Sequence, residues 1–466
     1  MTRTGPFLPL CVAAAALTAC APAAQLAETP PVLSTGWQAG SERIAGDVAL
    51  SASWSAFGSA ELDALIERAR AANPDIAIAR ARIVQARGRL RSARAALVPS
   101  LSATADTSVT RGEGSTTELT SRDQAIGLQV AYEVDLFGGG RAERRAAAAR
   151  LAAAGHDRDA AALLVESEVV RAYVEHSALG ERLALLDRAL ANARETERVV
   201  LVRVREGAAT RVESGLQTVE VRRIEEQRSR VEQARVQTRN ALAVLVGEEA
   251  PLFALDGTEI EALSAPAFRA VQPGELLARR PDIRAAEAQI AAAAGDVAAA
   301  RAAFLPSLSI TARALLESGS GGGPLQAVLA AGAGMLAPIF DGGRLKGRLT
   351  TVSGEQQEAV ETYRRTILTA LREGEDAMTA LEGAQRRLDL LGRTIAEART
   401  AARLARLQFL EGAADLQTVF DAERGLLDLE EARALAAQDR LNASIDLYKA
   451  MGGEPAGARP GAADTA

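Results

Sequence analysis

Residues 73–102 read NPDIAIARARIVQARGRLRSARAALVPSLS, and residues 280–309 read RPDIRAAEAQIAAAAGDVAAARAAFLPSLS. Both stretches open on Pro-Asp-Ile and close on Pro-Ser-Leu-Ser; Pro74 and Pro281 are 207 residues apart, as are Pro99 and Pro306. More landmarks recur. Gly139-Gly140-Arg141 returns 203 residues later as Gly342-Gly343-Arg344, and Glu206-Gly207-Ala208-Ala209 returns 205 residues later as Glu411-Gly412-Ala413-Ala414. A chain that repeats itself at about 205 residues has to be read as two similar halves.

Each half combines two hydrophobic periods. Ser59 is placed to cap a helix that Asn73-Pro74 ends, and a second helix runs to Pro99. Beyond Pro99 the period becomes two. In 101–110 the odd positions are Leu, Ala, Ala, Thr and Val and the even ones polar; 111–124 reads as a polar loop, and 126–136 alternates again with Ile126, Leu128, Val130, Tyr132, Val134 and Leu136 on one face. The second half repeats this with Leu308, Ile310, Ala312, Ala314 and Leu316, a Gly-rich turn, and a weakly alternating strand over about 325–338. Strands of about ten residues with one apolar and one polar face fit an outer-membrane hairpin, and equally a hairpin lying on a soluble core.

Long helices fill the remainder. Residues 141–206 and 344–411 contain no proline. In the second stretch fifteen non-polar residues, from Val360 to Phe409, follow a strict 3–4 spacing. Such heptads predict coiled-coil packing, and at 1.5 Å per residue each helix is roughly 100 Å long. Return helices are expected over 212–246 and 416–451, with Gly207 and Gly412 at the hairpin tips.

The N-terminus carries Arg3, an apolar run from Phe7 to Leu17, and then Leu17-Thr18-Ala19-Cys20. Small residues before a cysteine resemble the lipobox of bacterial lipoproteins, in which that thiol receives a diacylglycerol; an ordinary secretory signal cut nearby is the alternative. Cys11 lies in the leader, so the mature chain would hold no disulfide and no free thiol. The expected organisation is a signal peptide at 1–19, a lipid-anchored extended tether at 20–58, a first repeat at 59–250, a linker at 251–272, a second repeat at 273–453 and a disordered tail at 454–466. A net charge of −6 gives no reason to expect a nucleic-acid partner.

If the strands enter lipid, one chain is not enough. Four strands cannot close a barrel, and an open edge leaves backbone amides unpaired in the bilayer. Identical copies must share one barrel: two give eight strands filled by side chains, and three give twelve, which begin to leave a lumen.

Three motifs resemble a known family. Leu277 to Glu287 (LARRPDIRAAE), Ala303 to Ser309 (AFLPSLS) and Pro338 to Arg344 (PIFDGGR) are similar to the hallmarks of TolC-like outer membrane efflux lipoproteins of the NodT/OprM type, and Asp135-Leu136-Phe137-Gly138 resembles the matching turn of the first half. The resemblance runs from Cys20 to about Gly453. It implies a mainly α fold with a membrane β-barrel part: long coiled-coil helical hairpins forming an α-barrel, four β-strands per chain, and completion by trimerisation. It implies a homotrimer in the outer membrane, lipid-anchored through Cys20 and extending into the periplasm. The partners implied are a periplasmic adaptor and an inner-membrane RND-type pump. The function implied is passive conduction of small molecules such as drugs or metals. A type I protein-secretion conduit is the nearest alternative, with a periplasmic adaptor or a coiled-coil scaffold further off.

In that family the periplasmic end narrows at acidic residues. Here the candidates are Asp415, then Glu411 and Glu206; Ala414 stands where close relatives would be expected to carry the acid. Gly207, Ala208, Gly412 and Ala413 are small enough to admit adaptor hairpins. Pro99, Gly139, Pro306 and Gly342 mark the strand–helix junctions, where Pro ends helices and Gly permits a sharp reversal. No catalytic constellation, cofactor motif or metal set is found. His156 and His176 stand 20 residues apart without cysteine support, the glycine runs lack the Lys-Ser/Thr of a phosphate loop, and Glu225-Glu226 and Glu430-Glu431 read as solvated salt-bridge faces.

Overall fold

The computed structural model describes residues 36–38, 54–113, 118–266, 271–318 and 325–453. The leader, Cys20 and the tail from 454 lie outside the described residues. The first half contains α1 (Ala60–Ala72), α2 (Pro74–Ala95), β1 (Ser100–Glu113), β2 (Glu118–Val134), α3 (Gly139–Arg205) and α4 (Arg211–Leu245). The second half repeats the order with α5 (Pro273–Arg279), α6 (Pro281–Ala302), β3 (Ser307–Ser318), β4 (Gln326–Leu336), α7 (Arg344–Glu411) and α8 (Leu416–Ala450).

Local chemistry sets the boundaries. The Ser59 hydroxyl accepts the Leu62 amide at 3.2 Å and starts α1. Asn73 closes α1, and its side-chain oxygen accepts the Asp75 amide at 2.8 Å, so one residue ends one helix and begins the next. Along α7 the heptad series lies inward. Ile367, Ala370, Ala377, Ala384, Ile395, Ala402, Ala405 and Phe409 are buried, and no member of the series is exposed.

Two compact units contain the described residues. One, residues 83–154 and 286–364, holds an antiparallel sheet in the order β1-β2-β3-β4. Its strands are longer than the alternation indicated. Ser100 pairs with Ala131 and Glu113 with Glu118, so most of the expected loop at 111–124 is strand. Strand pairing is made by the backbone and tolerates polar residues where no core demands an apolar face. In this unit α6 lies directly on the start of α3: a Cβ at Gly295 would fall 2.8 Å from the Ala146 Cβ and 3.0 Å from the Ala142 carbonyl oxygen.

The other unit, residues 33–82, 155–285 and from 365 onward, holds the main core. Trp54 and Phe57, at the end of the expected tether, form a short 3-10 turn and are buried there. The Trp54 indole donates to Glu166 at 2.9 Å, the Arg70 guanidinium donates to the same carboxylate at 2.8 Å, and the Tyr448 ring packs tilted against the indole with ring centres 4.3 Å apart. The stretch expected as a linker, 251–272, also belongs to this core through Phe253, Ile260, Leu263 and Val271. Those residues carry no regular period because the chain there crosses the core irregularly, so each contact is set by tertiary packing.

Candidate functional site: the four-stranded sheet and the hairpin tips

The register stacks like on like. Leu101 faces Val130, Ala103 faces Leu128 and Ala105 faces Ile126; Ile126, Leu128, Val130 and Tyr132 then face Leu316, Ala314, Ala312 and Ile310. Leu308 and Ala314 face Met335 and Leu329, which gives the weakly patterned β4 its place on the same face. This face is bare: Leu101 is 67% exposed, Ile126 60% and Leu329 84%. A hairpin lying on a soluble core would have covered it. The opposite face carries Ser102, Thr104, Gln129, Glu133, Ser309, Thr311 and Arg313. An uncovered apolar band backed by a polar surface is the arrangement of a strand sheet between lipid and water. Among the described residues β1 pairs only with β2, and β4 only with β3, so both outer edges keep amides and carbonyls that no described strand pairs.

The junctions place the expected residues between elements. Pro99 and Pro306 stand immediately before β1 and β3. Gly138 carries the positive φ before α3, and Gly139 is the first helical residue; Gly342 and Gly343 share the reversal before α7. Two carboxylates hold these turns. Asp135 accepts the Gly140 and Arg141 amides at 3.1 and 3.0 Å, and Asp341 accepts those of Gly343 and Leu345 at 2.9 and 2.8 Å. An aspartate a few residues before a helix start is a capping signal that the sequence displays at both sites.

The hairpin tips are also built in parallel. Gly207 and Gly412 take positive φ, and the amides of Ala208 and Ala413 reach back to the Arg203 and Gln408 carbonyls at 2.7 and 2.8 Å. Thr210 caps α4 in a capping box with Glu213, and Asp415 caps α8 by accepting the Thr418 amide at 2.9 Å and its hydroxyl at 2.6 Å. Those bonds hold the Asp415 carboxyl below its ordinary range. Gly207, Ala208, Gly412 and Ala413 are exposed, as are Glu206, Glu411 and Asp415.

Arg203 joins the two tips, a role that nothing in its local sequence indicates. Its guanidinium donates to the Phe409 and Leu410 carbonyls at 2.7 and 2.9 Å and lies 4.5 Å from the Phe409 ring centre. Val200, Phe409, Leu416, Val419 and Phe420 pack beneath. Further back, Glu220 is buried on α4 between Arg223 and Arg424. Burial alone would push its carboxyl up; hydrogen bonds from both arginines outweigh that and bring it down to about 2. Glu225, Glu226, Glu430 and Glu431 all pair with arginines, but the expected solvated face holds only for Glu226; Glu430 and Glu431 keep 15% and 13% side-chain exposure because they pack between helices. His176 is buried in the second unit, where burial first, then the Arg235 charge, push its imidazole down to about 4.

A bare apolar sheet with open edges, in a chain whose other elements are chiefly long helices paired as hairpins, is the makeup of a membrane-channel subunit. The profile of the outer membrane efflux protein family matches residues 65–248 and 272–453. The chain belongs to that family, a class of export channel and not of enzyme. It is 34% identical to the pyoverdine export outer membrane protein OpmQ of Pseudomonas putida over 91% of this chain and 93% of that one. It is 36% identical to OpmQ of Pseudomonas aeruginosa over 86% of each. The open-state outer membrane channel MtrE of Neisseria gonorrhoeae superposes with a TM-score of 0.82 at 28% identity, covering 92% of this chain and 97% of MtrE.

Proposed function

We propose that three copies of this chain form one outer-membrane exit duct, and that a lipid on Cys20 tethers each copy. The observation that carries this reading is the sheet: four strands with a bare apolar face and two edges that no described strand pairs, a structure that lipid tolerates only when further copies close the ring. Three copies supply twelve strands, enough to leave a lumen. The duct is passive. It receives small solutes, such as drugs or metals, from an inner-membrane RND-type pump through a periplasmic adaptor. The export role named for both OpmQ relatives supports this direction of transport. The adaptor docks at Gly207, Ala208, Gly412 and Ala413, and the periplasmic mouth narrows at Asp415, with Glu411 and Glu206 beside it.

Removal of the lipid separates a barrel from a tethered scaffold. The Cys20→Ser chain is expected to stay in the outer-membrane fraction until detergent is added, and then to run as a trimer. Release of that variant by salt or carbonate alone would overturn the proposal.

A further inference from the structure

Charge is distributed unevenly around the sheet. The segments that join strands to helices, 87–99, 135–150, 294–306 and 337–350, carry twelve arginines or lysines and four acids, a net charge of +8. The two hairpins between them, 100–134 and 307–336, carry three bases and six acids, and the whole chain has a net charge of −6. The antiparallel register brings the start of β1, the end of β2, the start of β3 and the end of β4 to one end of the sheet. The joining segments therefore form a basic collar there, in a chain that is otherwise acidic.

The collar lies close to the strands. Arg91 and Arg94 fall in the last two turns of α2, Arg141 and Arg145 in the first two of α3, and Arg344 and Arg348 in the first two of α7; all six are exposed. Two helical turns are about 11 Å, and an arginine side chain extends further. The headgroup layer of a bilayer is roughly 5–8 Å deep on each side of the hydrocarbon.

Folding does not favour this placement. Arg87 and Arg91, Arg141 and Arg145, and Arg344 and Arg348 each stand four residues apart on one helix, where like charges repel. Helices α3 and α7 also open on bases, with no acid in the first turn, against the helix dipole. The caps there are made by Asp135 and Asp341. Arg141 pairs with Asp135 and Arg150 with Asp296, which accounts for two of the twelve bases. Nor is the charge a plain legacy of the duplication: Ala294 and Ala298 stand in α6 where α2 has Arg87 and Arg91.

We propose that the collar binds anionic phospholipid headgroups beside the sheet. A guanidinium meets a phosphate diester with two parallel N–H donors, and a base held at an anionic surface gains about fivefold in binding. Headgroup phosphates also relieve the repulsion between bases one turn apart. The proposal rests on the reading of the sheet as lipid-embedded and adds the class of lipid that it selects.

The full chain, returned to phosphatidylcholine vesicles, is probed with spin-labelled phosphatidylglycerol and with spin-labelled phosphatidylcholine. The motionally restricted fraction of each label reads the lipid held at the protein. Phosphatidylglycerol is expected to be preferred at least threefold at low salt, and the preference should fade in about 1 M salt, where charges are screened beyond about 3 Å. Arg91→Gln, Arg94→Gln, Arg145→Gln and Arg348→Gln together should bring the two lipids near parity while helicity and oligomeric state stay unchanged. Arg222→Gln, Arg230→Gln, Arg372→Gln and Arg386→Gln remove the same charge from exposed pairs in the other unit and should leave the preference intact. Free glycerol phosphate at millimolar concentration should not displace the labelled lipid. Parity in the wild-type chain, equal losses in the two variants, or displacement by glycerol phosphate overturns the collar and leaves the duct standing. A wild-type chain that restricts neither lipid overturns both.

Discussion

Arg280, from the Arg-Arg-Pro-Asp-Ile motif, offers the most direct energetic test of the core. It is only 6% exposed. Its guanidinium donates twice to Asp282, at 3.1 and 2.7 Å, pairs with Glu373 at 2.8 Å, and donates to the Ala450 carbonyl at 3.2 Å. One side chain therefore ties α5 and α6 to α7 and to the end of α8. Arg280→Ala leaves two acids and a carbonyl facing the space the guanidinium filled. Breaking a buried pair from one side costs about 3–5 kcal/mol. Asp282 and Glu373 keep 38% and 30% side-chain exposure, so water partly replaces the lost partner and the lower end, about 3 kcal/mol, applies. At about 2.1 cal/mol/K of unfolding entropy per residue, a unit of roughly 280 residues then loses about 5 °C in Tm. Trp54 lies in the same core, so tryptophan fluorescence during heating in detergent reads the transition. Glu373→Ala added to Arg280→Ala should cost less than the two single losses combined, because it removes an acid already left without its partner. A drop under about 3 °C for Arg280→Ala, or strictly additive losses in the double variant, would refute the reasoning.

Three further outcomes are expected. Asp415→Ala removes the cap of α8, so amide exchange in the first turn of that helix should quicken, and conductance of the closed channel in planar bilayers should rise; an unchanged closed-state conductance removes Asp415 from the mouth. The folded Glu220 carboxyl titrates below its unfolded value, so its contribution is present above about pH 4.5 and is lost as pH falls toward about 2; Glu220→Gln should flatten the acid-induced loss of helicity across that window. His176 is also lowered when folded, so the unfolded chain takes up its proton first and stability falls between about pH 6.5 and 4. His176→Gln should remove that loss, as read by Tm against pH.

Much of this architecture is legible because duplication prints each landmark twice. Ser59, the proline-free stretches and the heptads of α7 all follow from short-range periodicity, and the structure buries the series that the spacing picks out. Polar residues 111–113 and 118–124 hide their strand character because the pairing that extends β1 and β2 there is made by the backbone, which leaves no period in the sequence. Phe253, Ile260 and Leu263 fall in an irregular stretch where no period marks an inward side. The ionic contacts are the least visible. Glu220 meets Arg424 across 204 positions, and one arginine among many carries no sign of which acid it will find. Of the candidate site, the small residues and glycines of the tips follow from turn chemistry, whereas the clamp made by Arg203 depends on two turns being brought side by side.

Thr210 and Asp415 occupy the same point of the repeat, 205 residues apart, and each begins a returning helix. One lends a hydroxyl and leaves the charge to Glu213; the other supplies acceptor and charge in a single side chain. In strong acid both first turns lose a charged partner: α4 keeps the Thr210 hydroxyl on its amide, while α8 keeps a neutral acid in the same place. The two copies of the repeat thus reach one capping geometry by two divisions of labour, a pair of side chains at one tip and a single aspartate at the other.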